Sequence, residues 1–395
     1  MKLAQSFSRL GTETAFEVLA RARALEAQGR KVVHLEIGEP DFDTPANIRD
    51  AAKRALDAGW THYGPSAGLP EARKAVAEYV ARTRGVPVAP EETIVVPGGK
   101  PIIFFTVLAL LDPGDEAIYP NPGFPIYESM IQYVGAKAVP LPIREENDWD
   151  FDPDEFERLL TPRTKLVILN SPANPTGGVM SAATMERVAR ALRDKAPQAV
   201  LLSDEIYSRI VYEGKHLSLL SLPGMKERTI LLDGFSKTWA MTGWRLGYGV
   251  GPKWLIDAMA KLATNDHSCT ASFAQIAAVE ALQGPQDSVA AMVKEFKRRR
   301  DVIVKGLNSL PGVTCRSPKA AFYVFPSVKG LGLKSKALSD ALLDRAGVAC
   351  LPGTSFGAHG EGYLRFSYAN SVENIEAALA AMRAALPELA AAAPR

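Results

Sequence analysis

The sequence predicts an α/β domain built on a mainly parallel sheet, followed by a smaller α+β domain. Three observations carry this expectation. From about Glu91 to about Leu282, short strand-like apolar runs alternate with longer helix-like segments. After Leu282 the character shifts to one long charged helix and then to a few sheet-like runs. Finally, 395 residues, 47% of them hydrophobic, exceed the size at which a single core usually stops growing.

Residues 93–96 are apolar and β-prone, and Pro97-Gly98-Gly99 ends them in a turn, so 100–111 follows as a helix buried over most of its surface. Residues 115–119 form a strand that enters the Pro- and Gly-rich loop 120–125. Residues 165–169 are a short apolar strand ending in Asn170-Ser171-Pro172-Ala173-Asn174-Pro175-Thr176-Gly177, with a helix at 184–193 behind it. The strand at 199–202 ends in Ser203-Asp204-Glu205, and the strand at 229–232 ends near Lys237. Three neighbouring strands thus deliver Asn174, Asp204 and Lys237 just beyond their C-terminal ends, where ligands bind in α/β sheets. The charged block from Lys294 to Asp301 reads as the solvated face of a long helix. Residues 321–325 and 363–367 read as strands and 372–386 as a final amphipathic helix, whereas the Ala-rich end, 389–395, shows no core face and is expected to fray. The chain shows no internal repeat and no helix-turn-helix module.

Composition narrows the function. Lys and Arg total 46 against 44 Asp and Glu, and a net charge of +2 leaves no electrostatic footprint for nucleic acid or an anionic membrane. A small-molecule role is favoured. The longest apolar runs, such as 102–111, are too short to span a bilayer and end in the turn Asp112-Pro113-Gly114. Cys269, Cys315 and Cys350 form neither a C-x-x-C pair nor a dense framework, so they read as thiols of a reducing compartment. Residues 1–30 mix charges into their apolar positions and hold no secretory h-region, which points to a cytoplasmic protein. The five histidines do not pair at metal-ligand spacing, so no metal is expected.

The segment from Phe235 to Gly247 carries the most chemistry. Lys237 follows an apolar strand directly, Ser236 flanks it, and Arg245 comes before a Gly-rich strand. Serine and arginine suit a phosphate, a lysine amine suits an aldehyde, and pyridoxal 5′-phosphate carries both groups. An ordinary surface lysine on a turn is the alternative. Asp204 can keep a pyridine nitrogen protonated, or cap a helix begun by Glu205-Ile206-Tyr207. Tyr207 and Asn174 can donate to the ring's phenolic oxygen. Gly98-Gly99 before a helix offers backbone N–H groups to a phosphate, or is only a turn. Lys100, a cation in a first helical turn, opposes the helix dipole and so has an anion nearby or points to solvent. Phe124 can stack on a pyridine face or pack its own loop. Arg365 sits inside an apolar strand, where an unpaired charge is costly; a substrate carboxylate or an internal Asp or Glu would resolve that cost.

Together these residues resemble the fold type I pyridoxal-phosphate enzymes, in particular class I/II aminotransferases related to bacterial aspartate aminotransferase. The resemblance runs from about Val33 to about Asn370. It rests on Glu36-Ile37-Gly38-Glu39-Pro40-Asp41-Phe42, Tyr63-Gly64-Pro65-Ser66-Ala67-Gly68, Asn174-Pro175-Thr176-Gly177, Asp204-Glu205-Ile206-Tyr207, Ser236-Lys237 with Arg245, and Arg365. It implies a three-layer large domain with a mostly parallel seven-stranded sheet at 46–282, and a small domain at 283–395 joined by the N-terminal segment 1–45. It also implies roles. Lys237 would form the Schiff base and move the proton at Cα. Asp204 would face the ring nitrogen, with Tyr207 and Asn174 at the phenolic oxygen and Phe124 stacked on the ring. Ser236, Arg245 and the backbone of Gly99 and Lys100 would hold the phosphate, and Tyr63 would reach the phosphate of a neighbouring subunit in a homodimer. Arg365, with Asn174 and the Gly38 backbone, would clamp the substrate α-carboxylate.

The expected reaction is therefore a ping-pong transfer of the α-amino group of an L-amino acid to a 2-oxo acid. Aspartate and 2-oxoglutarate lead, because Lys100 can meet a distal carboxylate. The alternatives are aromatic or neutral amino acids, a lyase or oxidase on the same scaffold, and a non-catalytic cofactor-binding regulator. Residues 264–268 fall near the mouth of the dimer's site in this resemblance, with no direction of preference implied.

Overall fold

A computed structural model of the protein describes residues 2–391. Helix α1 (Ala15–Glu26), strand β1 (Val33–His34) and helices α2 (Ala46–Asp57) and α3 (Pro70–Arg84) precede the main sheet. Pro70 opens α3, where its missing N–H costs nothing, and Gly85 closes it in the left-handed conformation, φ 68°. Then follow β2 (Thr93–Val96), α4 (Lys100–Leu110), β3 (Glu116–Asn121), α5 (Ile126–Tyr133), β4 (Lys137–Pro142) and α6 (Pro153–Leu159). The alternation continues with β5 (Thr164–Asn170), α7 (Ala182–Lys195), β6 (Val200–Asp204), β7 (Thr229–Gly234), the one-turn α8 (Phe235–Thr238) and β8 (Gly247–Val250). Helix α7 starts where it does because the Ser181 hydroxyl accepts the Thr184 N–H at 3.0 Å.

These strands form the expected seven-stranded sheet, in the order β2-β8-β7-β6-β5-β3-β4. The pairs β7–β6, β6–β5, β5–β3 and β3–β4 are parallel, while β8 runs antiparallel to both β2 and β7. Leu166 and Ile168 pack on one face and Val167 and Leu169 on the other. With helices over both faces, the strands read as unbroken apolar runs, which makes the domain three-layered. Strand β4 escapes a sequence reading because Pro140 and Pro142 interrupt it. It lies at the sheet edge, where proline is tolerated.

Helices α9 (Lys253–Asp266), α10 (Ser272–Gln283) and α11 (Asp287–Asn308) lead out of the sheet. Strands β9 (Tyr323–Val324), β10 (Val348–Ala349), β11 (Leu351–Pro352) and β12 (Leu364–Ser367) then alternate with α12 (Ser335–Ala341), and α13 (Val372–Ala391) ends the described chain. Strand β1 pairs in parallel with β10, so an N-terminal strand is built into the C-terminal region. A separate antiparallel sheet runs β11-β12-β9. One core holds Leu35, Phe296, Phe322, Leu338, Phe366 and Leu389 together.

Two expectations about this region are corrected. The charged block of α11 is not wholly solvated: Arg299 and Arg300 are buried. Arg299 pairs with Asp41 at 2.6 Å and with Glu295 at 2.9 Å, and Arg300 pairs with Glu213 at 3.3 Å and lies over the Tyr212 ring. Counter-ions come from within the run, at Glu295, and from distant segments, at Asp41 and Glu213, which a count of like charges misses. Nor does the chain fray at Leu389, which is buried within α13. Leu386 and Leu389, three residues apart, share a helix face, and alanine between such anchors is the best helix former. Residues 392–395 of that expectation lie outside the described residues.

Among the described residues, no helix is long and apolar enough to cross a membrane, and no group of three or more His, Cys, Asp or Glu is arranged to hold a metal ion.

Candidate active site

Parallel strands end on one side, and here β5, β6 and β7 lie next to one another and open into a cleft of ≈ 1030 Å³. Gly38, Gly99, Lys100, Phe124, Asn174, Asp204, Tyr207, Ser236, Lys237, Arg245 and Arg365 all line it. Tyr63 does not; it is 91% exposed on the surface of this protomer. None of residues 264–268 lines the cleft either, and His267 stacks on Phe105 instead.

Lys237 sits in α8, directly after β7. Its amine donates to the Gly38 carbonyl and lies 5.9 Å from the centre of the Phe322 ring. No carboxylate pairs with it among the described residues, and burial pushes the amine down to about 8. A lysine in that state is a usable nucleophile and base near neutral pH.

Asp204 is the last residue of β6 and is buried. One carboxylate oxygen accepts the Tyr127 hydroxyl at 2.6 Å and the other accepts the Ile206 N–H at 3.2 Å. No helix follows it, only turns, so the capping alternative does not apply. Burial pushes this carboxyl up to about 6, as expected of an anion awaiting a cationic partner. Behind it, Arg84 bridges Glu205 and Asp233 at 2.8 Å each, and His216 joins Glu205 at 2.7 Å. The Tyr207 hydroxyl meets that of Tyr323 at 2.8 Å.

The opposite end of the cleft is built for an anion. The first N–H groups of α4 have no intrahelical acceptor and point there with the helix dipole. Gly98 has φ +87°, and a Cβ on it would run into the Arg245 guanidinium. Arg245 itself holds a positive φ of 54°, and its Nη1 donates to the Thr242 carbonyl at 2.8 Å. A Cβ on Gly247 would come within 2.7 Å of the Gly98 carbonyl carbon, so the two turns fit only as glycines. Ser236 completes this corner.

Arg365, on β12, is 4% exposed. It donates to the Glu36 backbone carbonyl and to Asn174 Oδ1 at 3.4 Å, while its Nε has no partner. Its guanidinium lies 4.6 Å from the Tyr323 ring centre and 5.2 Å from that of Phe356. The internal carboxylate that would have explained this charge is absent among the described residues: Glu36 turns its carboxylate to His34 at 2.8 Å. Arg365 is thus a buried cation aimed into a cleft. Gly38 is glycine because a Cβ there would meet the Tyr323 hydroxyl.

Lys100 has an anion nearby, as its place at the helix start implied: it pairs with Glu13 at the cleft rim. Its ammonium lies 5.8 Å from the centre of the Phe124 ring, and Phe124 meets Tyr127 edge-on. Sequence reasoning missed Glu13, Tyr127 and Tyr323. Glu13 precedes α1 like any dipole-friendly acid, and the two tyrosines look like core aromatics. Only the folded chain brings them to the cleft.

The donor set fits pyridoxal 5′-phosphate: an amine with no carboxylate partner for the aldehyde, a buried acid for the ring nitrogen, and a helix start with Ser236 and Arg245 for the phosphate. The comparisons agree. A family model of class I and II aminotransferases matches residues 30–382. The aspartate aminotransferase of Pyrococcus horikoshii is 42% identical over 94% of this chain and 93% of its own. Aromatic-amino-acid aminotransferase 2 of Thermococcus litoralis is 41% identical over 92% and 94%. The solved structure of aspartate aminotransferase from Thermus thermophilus with maleate superposes with a TM-score of 0.92 at 39% identity, covering 98% of this chain and 100% of that one. The chain belongs to the class I and II aminotransferases, pyridoxal-phosphate-dependent enzymes that pass an amino group between an amino acid and a 2-oxo acid.

Proposed function

We propose that this enzyme moves the α-amino group of aspartate to 2-oxoglutarate by a ping-pong route, as a cytoplasmic homodimer. The observation that carries the reading is Arg365: a buried guanidinium with no carboxylate of its own among the described residues, opening into the same cleft as the Lys237 amine. A substrate α-carboxylate would supply the missing partner in bidentate geometry. Asn174 and the Gly38 backbone would complete that grip. The relatives named for aspartate, and Lys100 at the rim, support the acidic pair.

When bound, pyridoxal 5′-phosphate supplies an electron sink that weakens the bonds at the substrate Cα. The chain does the rest. Arg365 orients the amino acid, and the Lys237 amine takes the proton from Cα and returns it. Asp204, ionised above about pH 6, holds a proton on the ring nitrogen. Tyr207 and Asn174 would donate to the ring oxygen, Phe124 would cover a ring face, and Ser236, Arg245 and the N–H groups of Gly99 and Lys100 would hold the phosphate. Tyr63, exposed here, would enter the partner's site. Residues 1–45 and 283–395 would form the smaller unit, closing on 46–282 to exclude water.

A panel of amino acids offered with and without 2-oxoglutarate tests this. Product that depends on the 2-oxo acid, with aspartate preferred, is expected. Ammonia or peroxide release would overturn it in favour of a lyase or an oxidase.

A further inference from the structure

Two features of the cleft rim point in different directions. Lys100 carries a charge that suits a second carboxylate, yet Glu13 already holds that charge as an ion pair. Next to the pair, Phe16, Leu19, Ile37 and Ile103 line the same cleft with hydrocarbon, and Phe16 is 62% exposed. Glu13 lies on the segment just before α1, fastened on either side of it: the Gly11 N–H donates to Ser129 at 2.9 Å, and the Thr14 hydroxyl donates to Ser355 at 2.6 Å. The strap is held at both ends, while the carboxylate between is tied to Lys100 alone among the described residues.

We propose that Glu13 is a specificity-determining residue: it occupies Lys100 when the bound side chain is uncharged and yields Lys100 when that side chain ends in a carboxylate. The proposal rests on the aminotransferase reading, in which two substrates take turns in one pocket. With Glu13 in place, an apolar or aromatic side chain packs on Phe16, Leu19 and Ile103 beside a neutralised pair and meets no bare charge. A dicarboxylate trades one ion pair for another, and Glu13 turns to solvent. Such an exchange at a partly exposed site is close to balanced, because each pair is worth little on its own. One pocket then serves both uncharged and dicarboxylic substrates. Burial lowers both Arg365 and Lys237, and the charge of Glu13 partly opposes that lowering at each, so its departure is felt at the reacting end of the cleft.

The test uses the holoenzyme and its Glu13→Gln, Lys100→Gln and doubly substituted forms. Dissociation constants are measured by calorimetry for maleate and for 3-phenylpropionate, neither of which can be transaminated, alongside kcat/KM for aspartate and phenylalanine. Glu13→Gln should tighten maleate relative to 3-phenylpropionate by about three- to fivefold, with the kcat/KM ratio moving the same way. With Lys100→Gln already present, adding Glu13→Gln should leave the ratio unmoved. A ratio that stays within about twofold in the single variant, or that shifts as much without Lys100, overturns the proposal. If no amino acid and 2-oxo acid pair turns over in the unsubstituted enzyme while maleate binding still responds to Glu13→Gln, the aminotransferase reading fails and the ion-pair exchange stands.

Discussion

Arg84 and Arg365 are both buried arginines, and they solve the same problem in opposite ways. Arg84 lies between Glu205 and Asp233, each at 2.8 Å. Burial alone would lower it, but the two carboxylates outweigh burial and hold it above the ordinary arginine range. Arg365 has carbonyl oxygens and aromatic rings around it but no carboxylate among the described residues, and burial lowers it. A cation buried with its partners is a structural part. One buried without them is open to a ligand, and Lys237 falls in the second group.

Substitutions at these residues separate the two kinds of buried cation. Lys237→Met should lower turnover by at least about four orders of magnitude, since nucleophile and proton carrier are lost together. Steady-state product formation checks this, and a loss under tenfold would return Lys237 to the ordinary lysines. Arg84→Met should destabilise the protein by about 3–5 kcal/mol, because two buried carboxylates lose their counter-ion. Urea denaturation measures it, and a neutral result would show that Arg84 is no structural part.

Arg365→Leu should cost about 2–5 kcal/mol in kcat/KM, while folding stability drops by less than in Arg84→Met. Equal stability losses in the two variants would erase the distinction. The amine of Lys237 adds a pH signature. Its folded-state value is down from 10.5 to about 8, so between these the unfolded chain binds more protons. Stability of the cofactor-free protein should therefore rise with pH across that window, by about 1–3 kcal/mol given the open cleft. Denaturation of Lys237→Met, which lacks the titrating amine, should show no such rise; an identical pH profile would place the effect elsewhere. Finally, Tyr127→Phe removes one hydrogen bond to Asp204 and should cost about 1 kcal/mol, a few-fold in kcat. A change beyond a hundredfold would make Tyr127 a participant in the reaction itself.

The fold was legible where both faces of a strand are buried, because β5, β6 and β7 then appear as bare apolar runs. It was opaque at β4, whose prolines are allowed only by its edge position, and at the last turn of α13, where Leu386 and Leu389 keep an Ala-rich end folded. At the site, Lys237, Asp204 and Asn174 were legible because each follows a strand end. Arg365 stood out as a charge in an apolar strand, yet only the folded chain shows that no internal acid answers it. Glu13 was invisible, for nothing in the sequence ties position 13 to position 100. Long-range ion pairs leave no periodic trace.

The antiparallel course of β8 has a consequence for how freely this chain can diverge. A parallel neighbour would have required a crossover returning to the opposite end of the strands. Instead, Ser236, Lys237 and Arg245 all fall on one short link, residues 235–246, between adjacent strands. Their mutual placement is a local heirloom, indifferent to the length or composition of the connections elsewhere. Changes of length in the outer connections leave the lysine, the serine and the arginine in register, whereas a residue inserted between 237 and 245 would move the arginine away from the other two.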